Sequence, residues 1–349
     1  MKKYQPIRLK NFSFLLNIKA TAIISICTLL LFVLFLLSAG MGELFIGPFK
    51  IIGILFGQGL EFEKLVVTSF RLPRILVAIC AGICLAAAGA ILQGLVRNPL
   101  ASPDLIGLTG GASVGVVLFL ALFSDEKNSL TVSIHWLPLS AFLGALIVAI
   151  LLYIFAWRNG VSPITLVLIG IGLTALTKAM TTLFMIMGPI YQASQANIWI
   201  TGSVYGSNWA NVYTIAPITA VLMILALIMV RNLNIQELGE EVATNVGSHV
   251  QKNRLMLLVM STALTGTAVA FAGGISFVGL LAPHIARRLV GSSFGALLPL
   301  SALIGAILIV AADLVGRTFF LPLEIPAGVF TAAIGAPYFI YLLYKQRNV

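Results

Sequence analysis

The stretch RNLNIQELGEEVATNVGSHVQKNR, residues 231–254, is the longest polar run in a chain that is otherwise almost entirely apolar. A short helix here would carry one narrow apolar stripe, because its apolar residues fall four apart: Leu238, Val242 and Val246. Gly239 and Gly247 are expected to break this helix into pieces. The pattern predicts a surface segment between membrane spans that docks a soluble partner. The alternative is an amphipathic connector on lipid headgroups, although such helices usually favour Lys and Arg over acids.

The composition around this stretch is that of an integral membrane protein. The chain has 349 residues, of which 60% are hydrophobic and 9% are charged, whereas soluble domains carry about 25% charged residues. A helical span needs about 20 apolar residues, and the sequence predicts an all-α fold of ten spans in one domain, 1–349. The spans are expected at 20–39, 72–95, 105–123, 136–157, 164–187, 211–230, 255–273, 275–290, 296–316 and 326–344.

The net charge of +10 is explained by where the basic residues lie and does not indicate a nucleic-acid partner. If the N-terminus is inside, most of the 21 Lys and Arg residues fall in segments on the inner side. The excess of positive charge in inner loops therefore predicts that both termini are cytoplasmic. The same topology places residues 231–254 in the cytoplasm, where a soluble partner can reach them.

Lys178 is a charged residue within the predicted fifth span. A charge at this depth is costly and suggests function by default. Nearby threonines predict a polar face around it: Thr174, Thr177, Thr181 and Thr182. Such a face would line a water-filled path and attract an anionic substrate. The alternative is a lysine that snorkels outward or binds a carbonyl group.

Basic residues also mark the outer ends of two spans. Arg71 and Arg74 stand in the motif RLPR, where Pro73 fits the first turn of a helix. These arginines are expected at the outer mouth of the second span, either as snorkelling anchors or as contacts for a partner. Asp313 and Arg317 are four residues apart near the end of the ninth span, which predicts an ion pair within that helix.

The two halves of the chain repeat one pattern. Each has a Gly- and Ala-rich span, then a segment broken by proline or glycine, then three further spans; the broken segments lie at 97–107 and 272–291. The halves begin on opposite sides of the membrane. This arrangement predicts an inverted repeat, which is common in transporters.

Several chemistries lack their sequence motifs. The chain has no GxxxxGK[ST] phosphate-binding loop, no HExxH metal motif and no cluster of Ser, His and acid. Acidic residues are missing from the middle of the predicted spans, where ion-coupled carriers commonly have them. We therefore predict no catalytic residues, no metal site and no cofactor. The energy for any transport is expected to come from another subunit attached at 231–254.

Taken together, these motifs resemble the FecCD family, the membrane permeases of ABC importers for iron–siderophores, haem and vitamin B12. The resemblance covers nearly the whole chain and rests on the order and spacing of six pieces. They are RLPR at 71–74, NPLASPDLIG at 98–107, LGEEVATNVG at 238–247, GGISFVGLLAPHIARRLVG at 273–291, ADLVGR at 312–317 and EIPAGVFTAAIGAPYFIYLL at 324–343.

The resemblance implies the ten-span fold of a type II ABC importer permease in the cell membrane. It implies a pair of permease chains, identical or related, with two ATP-binding subunits below and an extracytoplasmic substrate-binding protein above. The implied substrate is an iron(III)–siderophore complex, with haem or vitamin B12 as the alternative. Two rivals from other classes are an ion-coupled secondary carrier and a membrane scaffold; broken helices and an in-span lysine disfavour the scaffold.

The resemblance also implies roles for individual residues. Arg71, Arg74 and Arg317 match arginines that receive glutamates of the binding protein in the vitamin B12 importer. The coupling segment, which fits a cleft of the ATPase, would use six residues: Leu238, Gly239, Glu240, Glu241, Ala243 and Gly247. Ser162 and Pro163 match the inner gate. Lys178 belongs to no family motif and would tune substrate charge or have no role.

Overall fold

A computed structural model describes residues 4–9, 12–124, 131–157, 162–187 and 190–346. The described chain begins with an antiparallel hairpin of strands β1 (Tyr4–Leu9) and β2 (Phe12–Asn17). The sequence analysis did not predict this hairpin. Among the described residues after it, every regular element is helical, as predicted.

Fifteen α-helices follow the hairpin in the described residues. They are α1 (Ile18–Gly40), α2 (Pro48–Leu55), α3 (Glu61–Leu65), α4 (Leu72–Val96), α5 (Leu108–Leu122), α6 (Leu137–Ala156), α7 (Pro163–Met187), α8 (Ile190–Thr201), α9 (Trp209–Ile228), α10 (Val230–Glu237), α11 (Glu240–Asn245), α12 (Val250–Ala272), α13 (Val278–Val290), α14 (Phe294–Thr318) and α15 (Ala327–Gln346). A π-helical turn, Val66–Arg71, leads into α4, and a 3₁₀ turn, Ile134–Trp136, leads into α6.

Each predicted span coincides with one helix to within a few residues: α1, α4, α5, α6, α7, α9, α12, α13, α14 and α15. By length and composition, seven helices among the described residues are able to cross a membrane. The apolar helices α5 and α15 are shorter, and α13 has 13 residues. The chain is a multi-pass membrane protein.

Helix α4 lies at the centre of the bundle, and nearly all of its residues are buried. It packs against α9, α12, α13 and α14. Its small residues allow this crowding: a Cβ atom built on Gly82 would overlap the backbone of α14, and one built on Gly89 would overlap the carbonyl group of Gly279 in α13. In a membrane, such close backbone approach replaces the hydrophobic effect as the source of helix association.

Some contacts between helices recur in the two halves of the chain, although the inverted repeat stays a prediction. Helices α4 and α12, which begin the two halves, contact each other. Contacts between α4 and α14 correspond to contacts between α12 and α6, and the α5–α6 pair corresponds to the α13–α14 pair. Each half therefore covers the first helix of the other.

Candidate functional site

The two broken segments meet inside the bundle. Asp104, in the non-helical segment after α4, accepts a hydrogen bond of 3.2 Å from the backbone N–H of Phe277, which precedes α13. Phe277 has a left-handed backbone with φ of 67°, and a Cβ built on Gly335 of α15 would overlap its side chain. Because Gly279 lies against Gly89, well before the end of α4, helix α13 begins part of the way along the bundle. Discontinuous helices that meet in this way form the substrate sites of many transporters.

The three arginines predicted to dock a partner lie together at one end of α4 and α14. Arg74 is in the first turn of α4, Arg71 precedes it, and Arg317 is in the last turn of α14. A Cβ built on Gly42 would lie 2.8 Å from Nη2 of Arg71 and 3.4 Å from Nη1 of Arg317, so these two guanidinium groups are neighbours. We call this set of arginines the arginine cluster.

Carboxylates of the same chain neutralise much of the arginine cluster. Nε of Arg74 donates to both carboxylate oxygens of Asp313, at 2.9 and 3.1 Å, and its Nη1 donates to Oε2 of Glu324 at 2.8 Å. Nε of Arg317 lies 3.6 Å from Oδ2 of Asp313, which confirms the ion pair predicted within this helix. The side chain of Asp313 is 4% exposed and that of Glu324 is 37% exposed.

The other two arginines close the end of α1. Arg71 donates to the carbonyl oxygens of Ala39, Gly40 and Leu44 at 2.8, 3.1 and 2.6 Å. Arg317 donates to the carbonyl oxygens of Ser38 and Met41. The last carbonyl groups of a helix have no partner within it and carry partial negative charge. These bonds therefore fix α1 to the bundle, a structural role that the sequence did not predict.

The polar stretch 231–254 lies at the opposite end of α4. It forms α10 and α11, broken at Gly239, whose φ of 109° and ψ of 160° suit glycine, so the predicted break is confirmed. Several side-chain bonds fix α10 to the bundle. Glu237 pairs with Arg287 of α13 at 2.5 Å, and two side-chain amides bond backbone groups: Asn234 with the N–H of Phe294, and Gln236 with the carbonyl of Val250.

The apolar stripe of this stretch faces outward. Leu238, Val242 and Val246 are 65%, 45% and 62% exposed. Ala243 is fully buried, so its expected direct contact with a partner is corrected: its small side chain seats α11 against the bundle. The remaining residues assigned to coupling surround the stripe. Glu241 is exposed, Glu240 accepts a 2.9 Å bond from Arg254, and Gly247 follows the end of α11.

Ser162 and Pro163, predicted at a gate, begin α7. Oγ of Ser162 accepts the backbone N–H of Thr165 at 3.2 Å and shares a 2.7 Å hydrogen bond with its hydroxyl group. This is an N-cap, the usual role of a serine before a helix. Pro163 is the first helical residue, where proline is favoured.

Lys178 lies on an exposed flank of α7. The predicted polar face around it is wrong in part, because Thr177 and Thr181 are buried and their hydroxyl groups bond carbonyl oxygens of the preceding turn. The hydroxyl group of Thr174 likewise bonds the carbonyl oxygen of Gly170 at 2.8 Å, and it also lies 3.4 and 3.3 Å from the carbonyl oxygens of Asp104 and Leu105. A lysine at mid-helix that faces lipid costs about 2.5–3.5 kcal/mol.

Sequence reasoning missed three acids with structural roles here: Asp104, Glu237 and Glu324. All three occur in or beside the quoted motifs, but their partners are distant in sequence. His284 lies in α13 and is buried. The imidazole ring packs edge-on against Tyr338 of α15, with ring centroids 5.8 Å apart. Within the described ranges, no group of three or more His, Cys, Asp or Glu residues is arranged to hold a metal ion.

Comparison with known proteins gives consistent matches. The profile of the FecCD transport family matches residues 30–345. The probable siderophore transport system permease protein YfhA of Bacillus subtilis is 62% identical over 313 residues, which are 90% of this chain and 91% of that protein. The iron(3+)-hydroxamate import system permease protein FhuG of the same organism is 42% identical, over 94% of this chain and 98% of that protein.

One solved structure shares the fold over almost its whole length. It is described as an inward-facing conformation of a transporter assigned to the metal-chelate ABC type. The TM-score is 0.82 and the sequences are 31% identical. The match covers 93% of this chain and 99% of that chain.

Proposed function

This chain belongs to the FecCD transport family, and we propose that it is the transmembrane permease subunit of an ATP-driven importer for iron(III)–siderophore complexes. The observation that carries the substrate class is the 62% identity, over 90% of this chain, to a protein named as a siderophore transport permease. The permease does no chemistry on its substrate. Its task is to form a path across the membrane and to change the side on which that path is open.

We propose that two ATP-binding subunits supply the energy and bind at the 231–254 end. The exposed stripe of Leu238, Val242 and Val246 supports this, since a row of large apolar side chains on a polar segment fits a cleft in a soluble partner. The bonds that fix α10 to α13 and α14 also support it. A movement of α10 would be carried into the bundle as a rigid-body change.

We propose that the substrate-binding protein docks at the arginine cluster. The support is the placement of Arg71, Arg74 and Glu324 at the end of α4 opposite the ATPase segment, with Glu324 partly exposed. A carboxylate of the binding protein would take the place of Glu324 on Arg74, an exchange that keeps the local charge constant. Complementary charge of this kind fixes the register of docking more than its strength.

The path is proposed to run between this chain and a second permease chain, identical or related. Helices α7 and α15 have exposed faces in the single chain, and we propose that these faces line the path. Ser162 and Pro163, at the start of α7, remain the candidates for the inner gate. The proposed topology keeps both termini in the cytoplasm.

The test is purification of the tagged chain from its host in mild detergent, with identification of the subunits that accompany it. The parent is compared with a variant carrying Leu238→Asp and Val246→Asp, which places charge on the stripe. The matched control is Thr244→Asp, an exposed residue on the other side of α11. An ATPase subunit present with the parent and control, and lost from the stripe variant, is the expected result.

The other outcomes separate the parts of the proposal. An ATPase retained by the stripe variant would place its binding surface elsewhere and leave the importer class intact. An ATPase absent from all preparations, including crosslinked ones, would contradict the proposed energy source. Uptake of radiolabelled iron that stops when the proton gradient is dissipated, while ATP is maintained, would support a secondary carrier instead.

A further inference from the structure

We propose that Lys178 is an anion-binding residue of the translocation path, which gives this permease a preference for iron chelates of net negative charge. This inference rests on the proposed import function and concerns the chemical class of its substrate. Lys178 lies outside the family motifs quoted above.

Lys178 is deep in the membrane by any centred placement of α7. The helix has 25 residues, which at 1.5 Å per residue is about 37 Å, against a hydrocarbon core of about 30 Å. Lys178 is three residues beyond the middle residue of α7, which leaves it about 10 Å inside the nearer edge of that core. A four-carbon stem does not carry the ammonium group fully into water from there.

No described residue supplies Lys178 with a counter-ion. It is the single charged residue of α7. Among the described residues, no carboxylate forms an ion pair with its Nζ, and the bond at this residue is made by its backbone carbonyl, which accepts the hydroxyl group of Thr182. Charged groups inside a membrane protein usually face a partner charge, the bundle interior or a water-filled cavity.

The flank of α7 that carries Lys178 leads to the broken segments. Thr174 lies one turn earlier on this side of the helix, and its hydroxyl group reaches the carbonyl oxygens of Asp104 and Leu105. Asp104 bonds the N–H of Phe277, which lies against Gly335 of α15. Lys178 is therefore on the side of α7 that is connected through both broken segments to α15.

Both flanks of α7 expose large aliphatic side chains. Leu176 and Leu183 are each 53% exposed on the flank opposite Lys178, and Ile171, two turns before Lys178 on its own flank, is also 53% exposed. Lys178 itself therefore distinguishes the two flanks, and a charge there suits an aqueous path between two permease chains. If the second chain is a copy, the path brings two such cations toward each other, and a ligand with negative charge between them relieves their repulsion.

The ligand chemistry that fits is an iron(III) chelate with unneutralised carboxylate groups. A lysine ammonium is a compact point charge with three donors, which suits carboxylate oxygens without fixing one orientation. Such a contact aids entry into the path and still permits release. A neutral chelate gains little from it. Lys178 would thus act on the choice of substrate after the binding protein has delivered it.

The experiment measures radiolabelled iron uptake into cells that carry the complete importer. The probes are ferric citrate, which is anionic, and a neutral ferric trihydroxamate. The variants are Lys178→Gln, which removes the charge, and Lys178→Arg, which keeps it. Lys19→Gln, at an exposed lysine of α1, is the matched control for loss of one positive charge. Uptake is divided by the amount of permease in the membrane.

The expected result is that Lys178→Gln lowers ferric citrate uptake about tenfold or more, the size of one lost charge-assisted hydrogen bond. Lys178→Arg and Lys19→Gln should retain most of it, and uptake of the neutral chelate should change less than twofold. The ratio of the two uptakes in one variant does not depend on expression, so a poorly folding variant still gives a result.

Three results would overturn the proposal. They are ferric citrate uptake by Lys178→Gln equal to that of the parent, an equal loss of both chelates, and a parent that imports the neutral chelate alone. A parent that imports neither iron chelate would instead contradict the proposed iron import function. A failure of the Lys178 proposal can therefore be told apart from a failure of the proposed iron import function.

Discussion

Replacing Asp313 with asparagine should destabilise the bundle, because this carboxylate neutralises two buried guanidinium groups. Its oxygens accept two bonds from Nε of Arg74 and lie 3.6 Å from Nε of Arg317. The side chains of these arginines are 13% and 7% exposed. Asparagine keeps the size of the side chain and one acceptor oxygen. The substitution therefore removes the charge and leaves the packing almost unchanged.

Removing one member of a buried ion pair costs about 3–5 kcal/mol. Glu324 still neutralises Arg74 in the variant, at 2.8 Å, which places the expected cost near the lower value, about 3 kcal/mol. For 349 residues, the unfolding entropy of soluble domains amounts to about 0.7 kcal/mol/K. The melting temperature should then fall by about 4 °C. Membrane proteins that keep helices on unfolding gain less entropy, which makes this shift a lower bound.

The buried cysteines of α4 provide the assay. Cys80 and Cys84 are 8% and 0% exposed and free, so a thiol-reactive fluorophore labels them as the bundle opens. Cys27 is only partly buried and is replaced by alanine in every sample to remove background. The control is Glu61→Gln, at a side chain 92% exposed in its pair with Lys64, which should shift melting by less than about 1 °C. A shift for Asp313→Asn no larger than that of the control would refute the reasoning.

Three further substitutions test single contacts. Gly89→Ala should abolish recovery of monodisperse permease on size exclusion, because the added Cβ would overlap a carbonyl group of α13. The control Gly172→Ala, where a Cβ meets nothing within 4 Å, should be recovered like the parent. Equal recovery of the two variants would show that α4 and α13 can separate. Asp104→Ala should lower the melting temperature more than Asp104→Asn, since asparagine keeps an acceptor for the N–H before α13; equal shifts would remove that hydrogen bond as the cause. Gly239→Ala should lower the free energy of unfolding by about 1–3 kcal/mol, because alanine rarely adopts the backbone conformation of this residue. It should also reduce co-purification of the ATPase subunit. An unchanged amount of co-purified ATPase would mean that this turn relaxes without cost.

Local patterns predicted much of the architecture. Hydrophobic runs are long enough in this chain to locate most of the predicted spans by themselves, since lipid requires every backbone group of a span to be satisfied within a helix. Gly239 predicted the break in the 231–254 stretch, because its backbone conformation is one that other residues rarely adopt. The pair of Asp313 and Arg317 followed from helical spacing alone.

Contacts between distant parts of the chain could not be predicted from local patterns. Arg74 and Asp313 are 239 residues apart, and Asp104 and Phe277 are 173 apart. Helical spacing shows which residues share a face, but not which neighbour covers that face. For this reason Thr177 and Thr181 were assigned to the exposed face of Lys178, although both are buried. Local patterns also did not predict that the arginines proposed to dock a partner bind the chain's own carboxylates and carbonyl groups.

The central position of α4 has a consequence for how the protein is made. Helices leave the ribosome in sequence order, and α4 ends at Val96, while the helices that bury it, α12 and α14, end at Ala272 and Thr318. At about 5–20 residues per second, roughly ten seconds or more of synthesis separate α4 from its last neighbour. During that interval its Gly and Ala surface is in contact with lipid or with the insertion machinery. The innermost helix of the finished protein is thus among the first to be inserted and among the last to be enclosed.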